Sequence, residues 1–131
     1  MRVLITGSRM WGDPALIRQA ILDALSGQPG TDHTIIHGNA VGADSMADAV
    51  ARSLNLSIEV HPARWAEHQD NCKPSCKSEK RCVRAGHVRN AEMVASGADI
   101  CLAFIENDSR GATGCARMAE TAGIPTIRYI R

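Results

Sequence analysis

Residues 1–14 read MRVLITGSRMWGDP, and this stretch decides the architecture. Arg2 to Gly7 is a short apolar run closed by glycine, the pattern of a strand buried on both faces. It ends abruptly at Gly7-Ser8-Arg9. Asp13-Pro14 then opens a helix, with Asp as the N-cap and Pro at the first helical position. Leu16, Ile17, Ala20, Ile21, Ala24 and Leu25 recur at helical spacing behind it. A buried strand, a glycine-bearing turn and an amphipathic helix form the first half of a strand–helix–strand unit.

The same alternation continues along the chain. HTIIHG reads as a second buried strand, and Ala43, Met46, Ala47, Val50, Ala51 and Leu54 mark a second helix. SIEVHP is a third strand. A third main helix runs near His87 to Ser96 and stops at Gly97. DICLAFI, GATGCARMAETAG and PTIRYI complete the pattern as strand, helix and strand. Five strands alternating with helices predict an α/β fold: a single Rossmann-like three-layer domain over residues 1–131, with a five-stranded parallel sheet. A polar stretch at about 64–86 is too long for an ordinary connection. It is expected as a Cys-rich insertion before the third main helix.

Composition narrows the function classes. The chain has 131 residues, 44% of them hydrophobic and 22% charged, as in a globular domain. No apolar run approaches the roughly 20 residues of a membrane span. No secretory pattern precedes the first strand, so a cytoplasmic protein without membrane contact is expected. Formal net charge is +1, and the aromatics are one Phe, one Tyr and two Trp. Both features speak against a nucleic-acid-binding protein. Charge is nevertheless uneven. Seven basic and three acidic residues lie between Arg64 and Arg89, including all three lysines, Lys73, Lys77 and Lys80. A basic insert gripping nucleic-acid phosphates therefore stays as a lesser alternative to a solvated loop.

In open parallel sheets ligands sit beyond the carboxyl ends of the strands. The first strand delivers Gly7, Ser8, Arg9 and Trp11 to that edge. The second delivers His37, Gly38, Asn39, Gly42, Ala43 and Asp44, and the fourth delivers Asn107, Ser109, Arg110, Gly111, Ala112 and Thr113. Each set pairs glycine with hydrogen-bonding groups and leads into a helix start. Helix N-termini present unpaired N–H groups that suit an anion, and arginine adds bidentate donors. Standard fingerprints do not fit. Gly7-x4-Gly12 imitates a phosphate loop, but Asp13-Pro14 stands where Lys-Ser/Thr is required, and no G-x-G-x-x-G follows a strand.

The ordered set TGSRMWGD, HGNAVGADSMA, VRNAEMV, GADICLAFI, SRGAT and AGIP resembles the YspA/YpsA-related branch of the SLOG superfamily, Rossmann-like domains of bacteria and their phages. The resemblance covers nearly the whole chain outside the Cys-rich stretch. It implies binding of a nucleotide or nucleotide-derived small molecule, of the ADP-ribose, NAD or AMP class, by a sensor or binding module. Related hydrolases cleave the N-glycosidic bond of nucleoside monophosphates. They carry an Arg-Lys-x-x-Met helix motif and a Pro-Gly-Gly-x-Gly-Thr loop followed shortly by a catalytic Glu. Arg89-Asn90-Ala91-Glu92-Met93 is similar to the first motif, and Ser109-Arg110-Gly111-Ala112-Thr113 to the second. Gly114, Cys115 and Ala116 follow, so the catalytic Glu is missing, and Glu120 lies almost two turns further along. N-glycoside cleavage needs a carboxylate, and Asp44 and Glu92 are the candidates for replacing it. An N-glycosidase or phosphohydrolase is thus the alternative to a binding module.

On the binding reading, Ser8, Arg9, Gly111, Ala112 and Thr113 hold phosphate oxygens, and Gly7, Ser109 and Arg110 belong to the same ligand-binding set. Arg89 and Asn90 reach a second phosphate or a ribose. Gly38, Gly42, Ala43 and Asp44 line the sugar side. Trp11 either packs on a base or covers the first helix. Pairing of two copies through helices is a further expectation for such a domain.

The insertion contains HQDNCKPSCKSEKRCVRAGH, residues 68–87. Cys72, Cys76 and Cys82 are spaced C-x3-C-x5-C, with His68 four residues before and His87 five residues after. Three thiolates and one imidazole suit a structural, tetrahedral zinc site, with His68 preferred over His87 as the fourth ligand. Surface thiols without metal are the alternative. Cys101, inside an apolar strand, is expected in the core, as is Cys115 on the fourth main helix.

Overall fold

The computed structural model describes every residue from Met1 to Arg131 except Gln69 and Val83, two positions inside the expected insertion. The described residues form a five-stranded parallel sheet. Its strands are β1 (Arg2–Gly7), β2 (Thr34–His37), β3 (Ser57–Val60), β4 (Ile100–Ile105) and β5 (Thr126–Ile130). The main helices are α1 (Pro14–Leu25), α2 (Ala43–Ser53), α4 (Ala85–Ser96) and α5 (Arg110–Thr121); a one-turn helix, α3 (Pro74–Lys77), lies within the insertion. Asp13 caps α1 as expected, its carboxylate accepting from the Leu16 amide at 3.1 Å. Observed boundaries depart from the sequence reading by a residue or two, where terminal turns are capped outside the apolar pattern.

Strand order is β3-β2-β1-β4-β5. Side chains alternate across each strand, and the two faces bury different helices. Val3, Ile5, Ile35, Leu102 and Phe104 pack with Ile17 and Ile21 of α1 and Ala47 and Val50 of α2. Leu4, Ile36 and Cys101 face the other way, against Met93 of α4 and Cys115 and Ala119 of α5. Each fully buried aliphatic side chain contributes about 1.5–3 kcal/mol relative to exposure.

β1 and β4 are neighbours in register, Gly7 opposite Phe104. The chain leaves β1 toward α1 and α2 but leaves β4 toward α5 on the opposite face. The strand order therefore reverses between these two strands. Diverging connections leave a crevice there, the place where open α/β sheets bind ligands.

At the other end of the sheet, Glu59 of β3 accepts two bonds from the Arg2 guanidinium, at 3.0 and 3.1 Å, and meets His61 Nε2 at 2.8 Å. The Arg2 bonds first, and His61 second, hold its carboxyl down at about 2, against an ordinary value of 4.5. A depressed carboxyl pKa stabilises the fold above the unfolded value, and that contribution is lost as pH falls through the folded one. Stability of the protein should therefore fall between about pH 4.5 and pH 2. Glu59→Gln should flatten that part of a pH-resolved denaturation series, and an unchanged slope would remove the pair from the account.

Candidate functional site

The crevice between the β1 and β4 ends is a cleft of about 590 Å³, within the size range of small-molecule sites. Of the residues singled out from the sequence, Gly7, Ser8, Arg9, Asp44, Arg89, Asn90, Ser109, Arg110, Gly111 and Ala112 line it. An adjoining cavity of about 290 Å³ shares Arg9 and Arg89 and adds Gly38. Residues separated by a hundred positions thus meet on one rim.

Several do so as builders of the rim. The Ser8 hydroxyl accepts from the Glu106 amide at 2.8 Å and donates to the Glu106 carbonyl at 3.1 Å. It ties the end of β1 to the end of β4. Gly42 has φ +83°, and a Cβ there would collide with the carbonyls of Ser8 and Arg9. The loop preceding α2 can therefore press against the loop after β1, where Ala43 donates its amide to Ser8 at 3.3 Å. A side chain at Gly38 would run into the Arg89 guanidinium, whose Nη1 donates to the Gly38 carbonyl. Asn90 accepts from Arg89 Nε at 2.8 Å. Arg89 is thus fixed by its neighbours, whereas Arg9 and Arg110 are exposed at the cleft.

Four expected residues stand apart from the cleft lining. Trp11 is 2% exposed and packs edge-on against Phe104 at 5.4 Å, so it is a core residue and offers no face to a base. Gly42 and Ala43 lie behind the wall they shape. Thr113 lies one turn into α5, its amide donating to the Ser109 carbonyl at 3.0 Å. His37 is also structural: its buried ring accepts from the Asn39 amide at 3.0 Å through Nδ1 and meets Asp48 at 2.7 Å through Nε2.

The start of α5 faces the cleft through Ser109, Arg110, Gly111 and Ala112. Among the described residues, no side chain caps this helix. Its first amides therefore keep their donors for another acceptor, as at helix termini that bind anions. Asn107 and Asp108 precede it with φ of 54° and 52°, left-handed backbone that Asn and Asp tolerate best.

Two carboxylates share this cationic cleft. Asp44 is 5% exposed. Its Oδ2 accepts from the amides of Gly38 at 3.1 Å and Ala40 at 3.3 Å, while Oδ1 has no partner among the described residues. Burial pushes the Asp44 carboxyl up, only partly opposed by the Ala40 bond and by the nearby His37 and Arg89. Glu106 also lines the cleft, with Oε2 likewise unpartnered among the described residues. Glu92 is exposed on α4, outside the lining. Glu106, Met10 and Trp65 are cleft residues that the sequence reading passed over. The position of Glu106 directly after the fourth strand was a usable signal for it.

The insertion gathers a second cluster. The ligand atoms of His68, Cys72, Cys76 and Cys82 all lie within 4.8 Å of one another. Cys82 Sγ is 3.8 Å from Cys72 Sγ and 3.9 Å from Cys76 Sγ. Cys76 Sγ is 3.5 Å from His68 Nδ1. Metal–sulfur bonds of about 2.3 Å and metal–nitrogen bonds of about 2.0 Å give a tetrahedron with edges close to these. His68 turns its other nitrogen, Nε2, to the Glu79 carbonyl at 2.9 Å. That bond places the proton on Nε2 and frees Nδ1 to coordinate. His87 lines the cleft instead, so His68 is the imidazole of this cluster. Cys101 and Cys115 are fully buried in the core, where desolvation pushes their thiols up to about 12 and about 11. Among the described residues, no helix is long and apolar enough to cross a membrane.

A strand-order reversal, a helix start with open amides and three arginines define a Rossmann-like domain with an anion-suited cleft. The chain belongs to the YspA, cpYpsA-related SLOG family, whose profile matches residues 1–68. It is also 40% identical over 133 residues to the Gene 61 protein of Mycobacterium phage D29, covering 98% of this chain and 95% of that protein. Membership of the SLOG family points to nucleotide-related binding or processing.

A raised Asp44 pKa means that ionisation at neutral pH costs the fold stability, increasingly so as pH rises from the unfolded value toward the folded one. Asp44→Asn removes that cost and keeps an oxygen for the Gly38 and Ala40 amides. Its melting temperature at pH 7 should exceed that of the wild type, and a lower one would refute the assignment of Asp44 as a strained carboxylate.

Proposed function

We propose that the protein binds a nucleotide-derived small molecule of the ADP-ribose, NAD or AMP class at the β1–β4 cleft, as a sensor or binding module. The observation that carries this reading is the meeting of Arg9, Arg89 and Arg110 with the uncapped start of α5 around one cleft. A phosphate there accepts from amides and guanidinium groups together. Asp44 Oδ1, buried at the cleft without a partner among the described residues, is suited to a ribose hydroxyl.

A second reading, hydrolysis of an N-glycosidic or phosphate bond, rests on the same carboxylates. Asp44 and Glu106 line the cleft, and N-glycoside or phosphate hydrolysis needs a carboxylate acid or base there. Incubation with AMP or ADP-ribose separates the two: a binding module returns the ligand intact.

The experiment for the first reading is a thermal shift series with AMP, NAD and ADP-ribose. A ligand at 100 times its Kd adds about 2.7 kcal/mol. Arg9→Ala and Arg110→Ala, both at exposed positions, should lose most of the shift while melting normally without ligand. Absence of any shift in the wild type, or retention of the full shift in both variants, refutes the reading.

For the second cluster we propose a structural zinc held by His68, Cys72, Cys76 and Cys82. Four protein ligands leave no open position for catalysis. A nearly apolar-free insertion gains its fold from such a site, because metal binding is coupled to folding. Protein purified without chelator should contain one equivalent of zinc. On chelation three thiols should become reactive to a disulfide reagent, while Cys101 and Cys115 stay silent until denaturation. Less than half an equivalent of metal, or five equally reactive thiols, would contradict the site.

A further inference from the structure

The insertion and the cleft are joined by one side chain. Trp65 packs on the Cys72, Cys76 and Cys82 cluster, and its carbonyl accepts from the Cys82 amide at 2.6 Å. It also lines both the main cleft and the adjoining cavity. A Cβ on Gly86 would stand 3.2 Å from Cη2 of its ring, so glycine at the head of α4 lets the indole lie close to that helix.

Trp65 is distinguished from the other aromatics by what surrounds it. Phe104 packs edge-on against Trp11 at 5.4 Å and stacks on the partly buried Tyr129 at 4.9 Å, none of the three lining the cleft. Trp11 also has one guanidinium over its ring, Arg131 at 5.5 Å, but it is buried away from the cleft, whereas Trp65 is half-buried, borders both cavities and has two. The Arg81 guanidinium, outside both cavities, lies 4.5 Å from the ring centroid. Arg9, which lines both cavities, is at 5.9 Å, the outer limit of a cation–π contact. The ring is held firmly on the side of the insertion and only loosely engaged on the side of the cleft.

We propose that Trp65 is the stacking platform for the base of the ligand, and that the metal-bearing insertion serves to hold this ring at the cleft. The inference rests on the nucleotide reading above and adds the residue that selects a base-bearing ligand over a plain sugar phosphate. A planar ring slides over the indole and displaces the loose Arg9 contact, releasing that guanidinium for a phosphate on the same ligand. Base–aromatic stacking is tolerant of base identity, so the platform favours nucleotides as a class.

Calorimetric titration of AMP and of ribose 5-phosphate tests it, on wild type, Trp65→Phe, Trp65→Leu and zinc-free protein. Trp65→Leu keeps an apolar side chain against the cysteines and removes only the aromatic face. AMP affinity should fall about ten-fold in Trp65→Leu, fall equally on zinc removal, and stay within about three-fold of wild type in Trp65→Phe. Ribose 5-phosphate affinity should be the same in all four. AMP binding unchanged in Trp65→Leu overturns the platform alone. A parallel loss of both ligands in Trp65→Leu makes the residue merely structural and also overturns it. Unchanged AMP binding after zinc removal overturns the role of the insertion. A wild type that binds neither compound overturns the nucleotide reading itself.

Discussion

Two strands that lie side by side send their chains to opposite faces of the sheet, and beyond the end of their ladder the Ser8 hydroxyl ties the two departing segments together at the cleft. Ser8 both accepts from and donates to the Glu106 backbone, while its own amide donates to the Phe104 carbonyl at 2.8 Å. Its carbonyl also receives the amides of Trp11 and Ala43. One small, buried residue thus joins β1, β4 and the start of α2. In open α/β sheets the crevice at a strand-order reversal is a topological consequence, but its width is a matter of local bonds. The hydroxyl that a sequence motif offers as a phosphate ligand is here spent on building the wall. On the proposed reading, anion binding falls instead to the amides at the start of α5 and to the exposed Arg9 and Arg110.

The electrostatics of the cleft are a compromise between ligand and fold. Three arginines, Arg9, Arg89 and Arg110, and an uncapped helix start line the cleft alongside two carboxylates, Asp44 and Glu106. Asp44 sits among them, yet its carboxyl is pushed up because burial outweighs the favourable neighbours. A group that costs stability and leaves one oxygen unpartnered is a recognised mark of a working site. An amide at this position would satisfy the same backbone donors without the cost of burying a charge. Gly38 and Gly42 belong to the same logic: both surrender a side chain so that a guanidinium or a carbonyl can occupy its place.

The parallel sheet was legible because each buried strand is a compact apolar run ended by glycine, and each helix a distinct 3.6-residue pattern. Glycines at the carboxyl ends also announced the edge where the cleft would form. Strand order was not legible, since apolar runs do not name their neighbours. The sorting of Ser8, Arg89 and Asn90 into builders or ligands depended on partners 98, 51 and 21 residues away. Trp11 and Trp65 show the limit most clearly. Trp11, beside a glycine motif, has the sequence context of a site residue and is core. Trp65 stands in an unpatterned polar stretch, where only the folded cysteine cluster reveals that it borders the cleft. Cysteine and histidine spacing narrowed the metal ligands, and the position of His87 at the cleft decided between the two imidazoles.

That placement bears on why a small domain carries such an insertion. Ordering a residue costs about 1–2 kcal/mol of backbone entropy, and the insertion has little apolar surface with which to offset it. Beyond the three cysteines, its small cluster contains Ala85, Ala63 and Trp65. Hydrophobic burial on that scale cannot fix more than twenty residues, whereas coordination by four ligands contributes on the order of 10 kcal/mol in small metal-binding folds. The residue the insertion presents to the cleft is Trp65, bonded through its backbone to Cys82, a member of the cluster. If the cluster holds its ion and the indole takes a base, as proposed, the two are ends of one short lever, from the cysteines through the Trp65 backbone to the face of the indole.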